Sequence, residues 1–287
     1  MKILTANAEL VLPKFIYYRM QTIQFEHGTH KRYWIQQYSK IRVKIPPISE
    51  QERIVSRIEE LLSQLDSGVE TLNTVTRQLA AYRQAVLKEA FSAFCSDVPF
   101  GEIMTSNLGK MLDKAKNQGT PRKYIRNANV RWFSFDLSDL LEMRISDKET
   151  ERYSVQSGDL VICEGGEPGR CAVWNSTDSI FFQKALHRVR FKKPCNPKFY
   201  MYYFWFAAQS DVLKHYVTGS GIKHLTGDSL KKIPVPFADI SRQNAAVRDI
   251  EAKLSVCDNI EQTVADALRQ SEAMRQSILK RAFEGEL

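Results

Sequence analysis

The sequence of 287 residues predicts an α+β protein in which a domain of short strands lies between two long helices. Three observations predict this fold class. Two slightly acidic segments carry a heptad pattern of apolar residues, the two segments repeat one another, and the segment between them alternates β-like runs with turn residues. A chain of this length can form one large domain or two small ones.

The net charge of +8 is distributed unevenly along the chain. Residues 1–45 hold 8 basic and 2 acidic residues, and residues 97–236 hold 21 and 15. Residues 48–95 hold 5 basic and 7 acidic residues, and residues 239–287 hold 7 and 9. The two basic segments favour a polyanionic partner, because binding to a polyanion releases its counterions. Charge alone does not establish nucleic-acid binding, since many basic proteins bind no nucleic acid.

The first acidic segment predicts a helix from about Glu50 to Phe94. Ser49 stands three residues before Glu52, which is the spacing of a capping box. At 1.5 Å per residue this helix is about 65 Å long, which is more than a globular core requires. The predicted buried positions follow a heptad register, and they are Ile58, Leu61, Leu65, Leu72, Val75, Leu79, Tyr82 and Val86.

The second acidic segment repeats the first at an offset of 192 residues. The sequence YRQAVLKEAF at 82–91 corresponds to MRQSILKRAF at 274–283. Identities outside the apolar positions cannot come from heptad periodicity alone, so the two segments are a duplicated unit. The corresponding positions of the second helix form a less apolar stripe, and they are Val247, Ile250, Leu254, Cys257, Ile260, Val264, Ala267, Ser271, Met274 and Ile278.

The repeat extends upstream of both helices. PKFIYY (13–18) resembles PKFYMYY (197–203), and KIPPISEQ (44–51) resembles KIPVPFADISRQ (232–243). The chain therefore reads as the tail of one globular domain, a long helix, a complete globular domain and a second long helix. The corresponding ranges are 1–45, 46–95, 96–236 and 237–287.

The complete domain alternates β-like runs with clusters of turn residues. Four runs predict strands, at 123–137, 157–165, 171–175 and 185–191. Residues 197–217 predict a helix, and its aromatic residues are expected to pack in the core rather than stack on bases. These aromatic residues are Tyr200, Tyr203, Phe204 and Phe206. Short strands combined with a helix predict an α+β domain.

Basic and amide side chains concentrate in the loops of this domain. Arginine and lysine can reach guanine O6 and N7, and asparagine and glutamine can pair with adenine N6 and N7. The set predicts DNA contact more strongly than any member, since a single charged loop residue is more often only solvated. The candidate DNA-binding residues are Lys114, Lys116, Gln118, Arg122, Lys123, Arg126, Arg170, Gln183, Lys184, Lys223 and His224.

Several protein classes are disfavoured by what the sequence lacks. No stretch approaches the roughly 18 apolar residues of a membrane span, and the N-terminus is a poor secretory signal. The five cysteines are scattered without a CxxC pair, which disfavours a zinc site or disulfides and favours a reducing cytoplasm. No nucleotide-binding loop or cofactor motif occurs in the sequence. We therefore expect no metal, no cofactor and no catalysis by the chain alone.

The chain resembles the specificity subunits of type I restriction-modification enzymes. The resemblance rests on IPPISEQERIV (45–55), the two matching helix endings, SGDLVICEGGEPGR (157–170) and GSGIKHLTGDSLKKIPVP (219–236). Each motif is loose, but their order and duplication are specific. The resemblance implies two target recognition domains, each followed by a long helix. It also implies that the two helices pack as an antiparallel coiled coil that spaces the domains.

The resemblance further implies a non-catalytic subunit that reads a bipartite site in double-stranded DNA, with one half-site for each recognition domain. The helices would dock modification subunits that methylate adenine with S-adenosylmethionine, and a restriction subunit would add ATP-driven translocation and cleavage. Residues 96–236 would be a complete recognition domain, whereas residues 1–45 match only the C-terminal part of another. This remnant could pack on the helices, or two copies could self-associate to read a symmetric site.

Two other functions remain open at this point. The main alternative is a coiled-coil scaffold whose basic domain does not read DNA sequence. A stand-alone nuclease or methyltransferase is a third possibility, which the missing cofactor and metal motifs oppose. Sequence preference in DNA binding separates the first function from the scaffold, and methyl transfer by the isolated chain would support the third.

Overall fold

A computed structural model describes residues 5–23, 38–113, 115–210, 212–219, 221 and 223–287 of the chain. The chain divides into two compact units. The helical unit comprises Met1–Ala80 and Cys257–Leu287, and the sheet unit comprises Ala81–Val256. Among the described residues, no helix has the length and apolar character needed to cross a membrane.

In the part of the chain that the structure describes, the helices of eight or more residues are α1 (Pro13–Gln21), α2 (Ile48–Ser92), α5 (Pro197–Gln209) and α7 (Ile240–Glu284). The shorter helices are α3 (Phe100–Ile103), α4 (Thr150–Tyr153) and α6 (Gly227–Lys232). The helices α2 and α7 have 45 residues each, and both contribute to both units. Asp239 caps α7 by accepting a hydrogen bond from the Arg242 backbone N–H at 3.0 Å, and Gly285, at φ 83°, follows its last turn.

The two long helices pack antiparallel. In the helical unit, Ile58 and Leu62 near the start of α2 share a buried cluster with Leu279 and Ala282 near the end of α7. The two helices are also antiparallel in the sheet unit, where the end of α2 contacts the start of α7. The buried residues of that contact are Leu87, Phe91, Val247, Ile250 and Leu254. The predicted fold class, α+β with two long antiparallel coiled-coil helices, is confirmed.

Burial along the two helices is uneven. The buried members of the predicted set are Ile58, Leu79, Val86, Val247, Ile250, Leu254, Cys257 and Val264. The half-buried members are Leu61, Leu65, Leu72, Val75, Ala267, Ser271 and Ile278. Three positions that were expected to be buried, Tyr82, Ile260 and Met274, are instead exposed, and Leu62 is buried although it lies outside the predicted register. An α-helix turns every 3.6 residues, so a heptad stripe drifts by about 20° per heptad and different residues reach the interface along its length.

The described part of the sheet unit contains ten short strands. They are β1 (Asp97–Pro99), β2 (Met104–Leu108), β3 (Thr120–Ile125), β4 (Leu141–Ile145), β5 (Ser154–Val155), β6 (Leu160–Cys163), β7 (Cys171–Val173), β8 (Ile180–Phe182), β9 (Leu186–Phe191) and β10 (Pro234–Pro236). One antiparallel sheet has the order β2-β9-β6-β7, and the other has the order β4-β3-β8-β5 with β3 and β8 parallel. The strands β1 and β10 form a separate antiparallel pair.

Two apolar layers hold the sheet unit together. Side chains from both four-stranded sheets, including Val161, Ile125 and Phe182, form one buried cluster. The other face of the first sheet packs on α5, and Tyr200, Tyr203 and Phe204 are buried there, which confirms the prediction that they belong to the core. The helix α5 ends at Gln209 rather than near residue 217, because the chain turns into a short 3-10 helix at Leu213–His215.

The predicted strand at 123–137 is the largest local error. The strand β3 ends at Ile125, and the chain then enters a loop that is organised by Asn129. The Asn129 side chain accepts a hydrogen bond from the Arg126 N–H at 2.9 Å and donates to the Asp136 carbonyl at 2.9 Å. A short amide side chain that bonds to nearby backbone competes with a strand ladder, so the β-like residues here fold as a loop.

Candidate nucleic-acid interface

Three strands of the sheet unit end close together and bring several candidate residues to one place. The parallel strands β3 and β8 end at Ile125 and Phe182, and the Gln183 N–H donates to the Ile125 carbonyl at 3.0 Å. Glu164, which follows β6, donates its N–H to the Ala185 carbonyl at 2.9 Å. The loops that follow these strands therefore meet at one edge of the two sheets.

The loops after β3 and β6 are tied together by side chains. Asn127 donates through Nδ2 to the Gly165 carbonyl at 2.8 Å, and Arg170 donates through Nη2 to the Asn127 carbonyl at 3.0 Å. Glu167 accepts from Arg170 Nη1 at 2.8 Å and from Trp132 Nε1 at 2.7 Å. Because these bonds join segments some 40 residues apart in the chain, they fix the two loops relative to each other.

A third loop carries Lys223 and His224 to the same place. The Leu225 N–H donates to the Glu164 carbonyl at 2.7 Å, and the His224 N–H donates to the Thr218 carbonyl at 2.8 Å. A Cβ atom at Gly165 would lie 3.1 Å from His224 Nδ1, so glycine allows the close approach of the imidazole ring. We call residues 126–129, 164–170, 183–185 and 223–225 the loop cluster.

The cations of the loop cluster fall into two kinds. Arg126 forms an ion pair with Asp139, and Arg170 forms one with Glu167 at 2.8 Å. Lys184 and Lys223 are exposed and have no acidic partner within the described part of the chain. The two lysines can therefore reach an external anion without first breaking a protein contact, whereas the two arginines mainly brace the loops.

Three polar atoms inside the loop cluster are buried without a hydrogen-bond partner in the protein. They are Arg126 Nε, Asn127 Oδ1 and Arg170 Nε. Most buried polar groups in proteins are paired, so two unpaired donors and one unpaired acceptor at one place are unusual. Because all three atoms are shielded from solvent, they mark a polar interior of the loop cluster and not its binding surface.

The remaining candidate residues lie outside the loop cluster. Arg122 and Lys123 are exposed on β3 and line a cleft of about 510 Å³ with Trp174 and Asp178. Lys116, whose side chain is 87% exposed, and Gln118 precede β3, at the end of that strand opposite to Arg126. Lys114 lies outside the described residues.

The structure thus places together Arg126, Arg170, Gln183, Lys184, Lys223 and His224, and it places the other described candidates along β3 and before it. The sequence interpretation did not select Asn127, although this residue joins two loops of the cluster. The sequence offered one signal for Asn127, namely an amide residue next to the candidate residue Arg126. Only the contacts show that it differs from the other loop amides.

A buried ion pair supports the turn that carries Gln183 and Lys184. Lys110, whose side chain is 7% exposed, donates to Glu149 Oε2 at 2.7 Å, and its carbonyl accepts from the Lys184 N–H at 2.8 Å. Ser146 also donates to Glu149, through its hydroxyl and its backbone N–H. The bonds from Lys110 and Ser146 stabilise the carboxylate and lower the pKa of Glu149 to about 2.

We expect Glu149→Gln to destabilise the protein by about 1–3 kcal/mol at pH 7, because buried Lys110 loses its counter-charge. The pKa of Glu149 is 4.5 when unperturbed and about 2 when folded, so the stabilisation is complete above about pH 5 and declines as the pH falls toward 2. Urea unfolding between pH 7 and pH 3 should show less acid sensitivity in the variant than in the wild type. Two curves that remain parallel over this range would contradict the assignment.

Other reactive side chains of the sheet unit are buried in states that do not favour nucleophilic chemistry. Burial raises the pKa of the Cys163 thiol to about 11 and also raises that of Cys171. Burial lowers the pKa of His187, whose Nε2 donates to the Leu225 carbonyl at 2.8 Å. No group of three or more histidine, cysteine, aspartate or glutamate residues within the described ranges is arranged to hold a metal ion.

The fold and the loop cluster define a class of protein, namely an α+β module with a polar, partly basic loop edge that is built on the ends of two long paired helices. The chain belongs to the type I restriction modification DNA specificity domain family, whose family model matches residues 97–270.

Comparisons with individual proteins agree with this family. The chain is 26% identical over 271 residues to the EcoKI specificity subunit of Escherichia coli strain K12, and 27% identical over 274 residues to the StySPI specificity subunit of Salmonella potsdam. Each alignment covers 87% of this chain and 58% of the relative. The chain therefore spans somewhat more than half the length of these relatives.

Solved structures share the fold. A chain from a study of complex assembly and conformational transition of the type I R-M system matches with a TM-score of 0.75 at 16% identity, covering 98% of this chain and 73% of that one. The HsdS subunit from Thermoanaerobacter tengcongensis matches with a TM-score of 0.60 at 18% identity, covering 98% and 72%. These likenesses concern the fold alone.

Proposed function

We propose that this chain is a DNA sequence-recognition subunit of a type I restriction-modification complex and does not itself catalyse a reaction. The family match over residues 97–270 carries the proposal. In this proposal residues 96–236 form a target recognition domain that reads one half of a bipartite site, and residues 1–45 represent the C-terminal part of another. Residues 46–95 and 237–287 serve as the helical spacer.

The loop cluster supplies the DNA contacts in this proposal. Lys184 and Lys223, exposed and without acidic partners in the described chain, suit contacts to phosphates. Gln183 and His224 stand beside them and can exchange hydrogen bonds with base edges. Arg126 and Arg170 hold the loops in place through their ion pairs with acidic neighbours.

The long helices serve as the docking surface for modification subunits, and a restriction subunit completes the complex. In this part of the proposal, apolar side chains that are exposed on the helices contribute to the contact with the modification subunits. In the sheet unit these are Tyr82 and Val256, and in the helical unit they are Ile260 and Met274. Pairing of two copies is a second use of such surface, and the molar mass measured by light scattering distinguishes a dimer from a monomer.

We expect Lys184→Ala and Lys223→Ala each to weaken DNA binding by about 3–10-fold. Each variant should also lower the steepness of the plot of log K against log salt concentration by about 1, because one fewer counterion is released. The measurement is fluorescence anisotropy of duplex DNA with the chain and its modification subunits, using a site selected from a random library. Lys192→Ala is the matched control, because this exposed lysine follows the far end of β9 and donates to the Gly101 carbonyl.

Selection from the library should yield a preferred sequence. If the assembled complex bound all duplexes equally, the chain would be a scaffold and the proposal would fail. Equal losses in all three variants would show that overall charge, and not the loop cluster, determines affinity.

A further inference from the structure

The sequence repeat has a counterpart in the internal contacts of the two units. In the helical unit, Gln51 accepts a hydrogen bond from the Leu12 N–H at 2.8 Å and donates to the Pro46 carbonyl at 2.7 Å. In the sheet unit, Gln243 accepts from the Asn196 N–H and donates to the Ala238 carbonyl, both at 2.8 Å. Ion pairs recur likewise, at Lys14–Glu59 and Lys198–Glu251, and so do edge-to-face ring pairs, at Phe15–Phe283 and Phe91–Phe199.

These contacts align residues 40–51 with residues 232–243 without a gap, at the same offset of 192. Six of the twelve aligned positions are identical. In this alignment the segment 42–44 of the helical unit corresponds to β10 of the sheet unit.

In the sheet unit β10 is covered by β1. Val235 stands opposite Val98, between two backbone hydrogen bonds. In one the Phe100 N–H donates to the Ile233 carbonyl, and in the other the Phe237 N–H donates to the Ser96 carbonyl, both at 2.9 Å. The side chains at the aligned positions Ile233 and Val235 are fully buried beneath this pairing.

In the helical unit the corresponding edge is open. Ile41, Val43 and Ile45 make no backbone hydrogen bond to any described residue. Ile41 and Val43 are only half-buried, and Ile45 is 52% exposed. Unpaired backbone groups beside apolar side chains are the features of an edge that accepts a further strand.

The neighbouring helix shows the same difference. Phe100 packs on Tyr200 and Phe204 of α5, with ring centroids 5.6 and 5.3 Å apart. The sequence PKF occurs at 13–15 in α1 and at 197–199 in α5, an offset of 184. This offset aligns Tyr200 with Ile16 and Phe204 with Met20, and Met20 is 37% exposed. In the helical unit two non-aromatic apolar side chains therefore stand where α5 receives Phe100, and the exposure of Met20 leaves room there for an aromatic side chain.

The charges around the open edge favour an acidic occupant. Arg19, Arg42 and Lys44 line one cleft of about 500 Å³, together with Glu50 and Glu284. Glu50 is already paired with Arg53 at 2.8 Å, and Arg42 and Lys44 are exposed without acidic partners among the described residues. In the sheet unit the covering strand itself contains an acid, Asp97.

We propose that the edge Ile41–Ile45 binds an extended segment of a different protein by strand addition. The segment carries an acidic residue, an aliphatic residue and an aromatic residue at the positions that Asp97, Val98 and Phe100 occupy in the sheet unit. Main-chain hydrogen bonds supply affinity, and the apolar and charged positions supply selectivity. This proposal does not depend on the proposed role in DNA recognition.

The test uses a fluorescent peptide with the chain's own sequence SDVPFGEI, residues 96–103, added to the full-length protein. Anisotropy should show saturable binding. Replacement of phenylalanine by alanine in the peptide, or Met20→Glu in the protein, should weaken binding by about tenfold or more. Val43→Pro should do the same, because the register places the Val43 N–H in the new ladder.

Lys44→Pro is the matched control, since the aligned residue of β10 is Pro236, which has no N–H and is accommodated in the pair. In 0.5 M salt, which screens the lost charge, this variant should bind within about threefold of wild type. Circular dichroism confirms that each variant is folded. Absence of saturable binding, or equal binding by Val43→Pro and Lys44→Pro, overturns the proposal. So does a change of molar mass on Val43→Pro alone, which would identify a second copy of the chain as the occupant.

Discussion

Ile58→Ala is expected to lower the free energy of unfolding by about 2–5 kcal/mol. Ile58 lies on α2 in the helical unit, fully buried against Leu279 and Ala282 of α7. Truncation removes buried methyl and methylene groups and leaves a cavity that rigid helices cannot close. The higher helix propensity of alanine recovers only a few tenths of a kcal/mol. Urea unfolding followed by far-ultraviolet circular dichroism measures the difference.

The matched control is Ile260→Ala on α7. The heptad pattern places Ile260 in the same kind of position as Ile58, but its side chain is 39% exposed. Its truncation should cost less than about 1 kcal/mol, because little buried surface is lost. Equal losses at the two positions would contradict the difference in burial between Ile58 and Ile260 described above.

Gln243→Ala is expected to cost about 2–5 kcal/mol. The side chain of Gln243 is fully buried and bonds the Asn196 N–H and the Ala238 carbonyl, both at 2.8 Å. Its removal leaves a donor and an acceptor unsatisfied in the interior and opens a cavity. Because Asn196 caps α5, the start of that helix should also lose protection in hydrogen exchange. Thermal unfolding and amide exchange measure the two effects.

A second glutamine that the repeat shares provides the control. Gln276 is exposed on α7, and its single side-chain bond reaches Glu272 at 3.4 Å. Gln276→Ala should change stability by less than about 0.5 kcal/mol. A comparable loss at Gln243 and Gln276 would show that the buried hydrogen bonds of Gln243 do not account for its effect on stability, because Gln276 has no such bonds among the described residues.

The long helices were accessible from the sequence because their signals are local. A heptad register and an internal repeat can be counted along the chain, and α2 begins within two residues of the predicted Glu50. The short strands were harder to predict. The strand β5 has two residues and β8 has three, so neither contains enough positions to show alternation. Their existence depends on partners that lie far away in the sequence.

The candidate DNA-binding residues were likewise only partly predictable from local signals. Residue type and loop position were sufficient to select Lys184, Lys223 and His224, which lie in the loop cluster. The same criteria selected Lys116 and Gln118, which precede β3 and lie apart from it. Whether these residues contact DNA stays a prediction for the binding experiment to decide.

The sequence by itself determined the α+β class, the two long helices, their duplication and the family to which the chain belongs, because periodicity and repetition are properties of residue order. Tertiary structure alone decided which apolar positions are buried, which arginines are held by acids and which loops meet. Those outcomes depend on residues brought together from distant parts of the chain. Ile58 and Ile260 occupy equivalent positions in the heptad pattern, yet Ile58 is fully buried against α7 and Ile260 is 39% exposed.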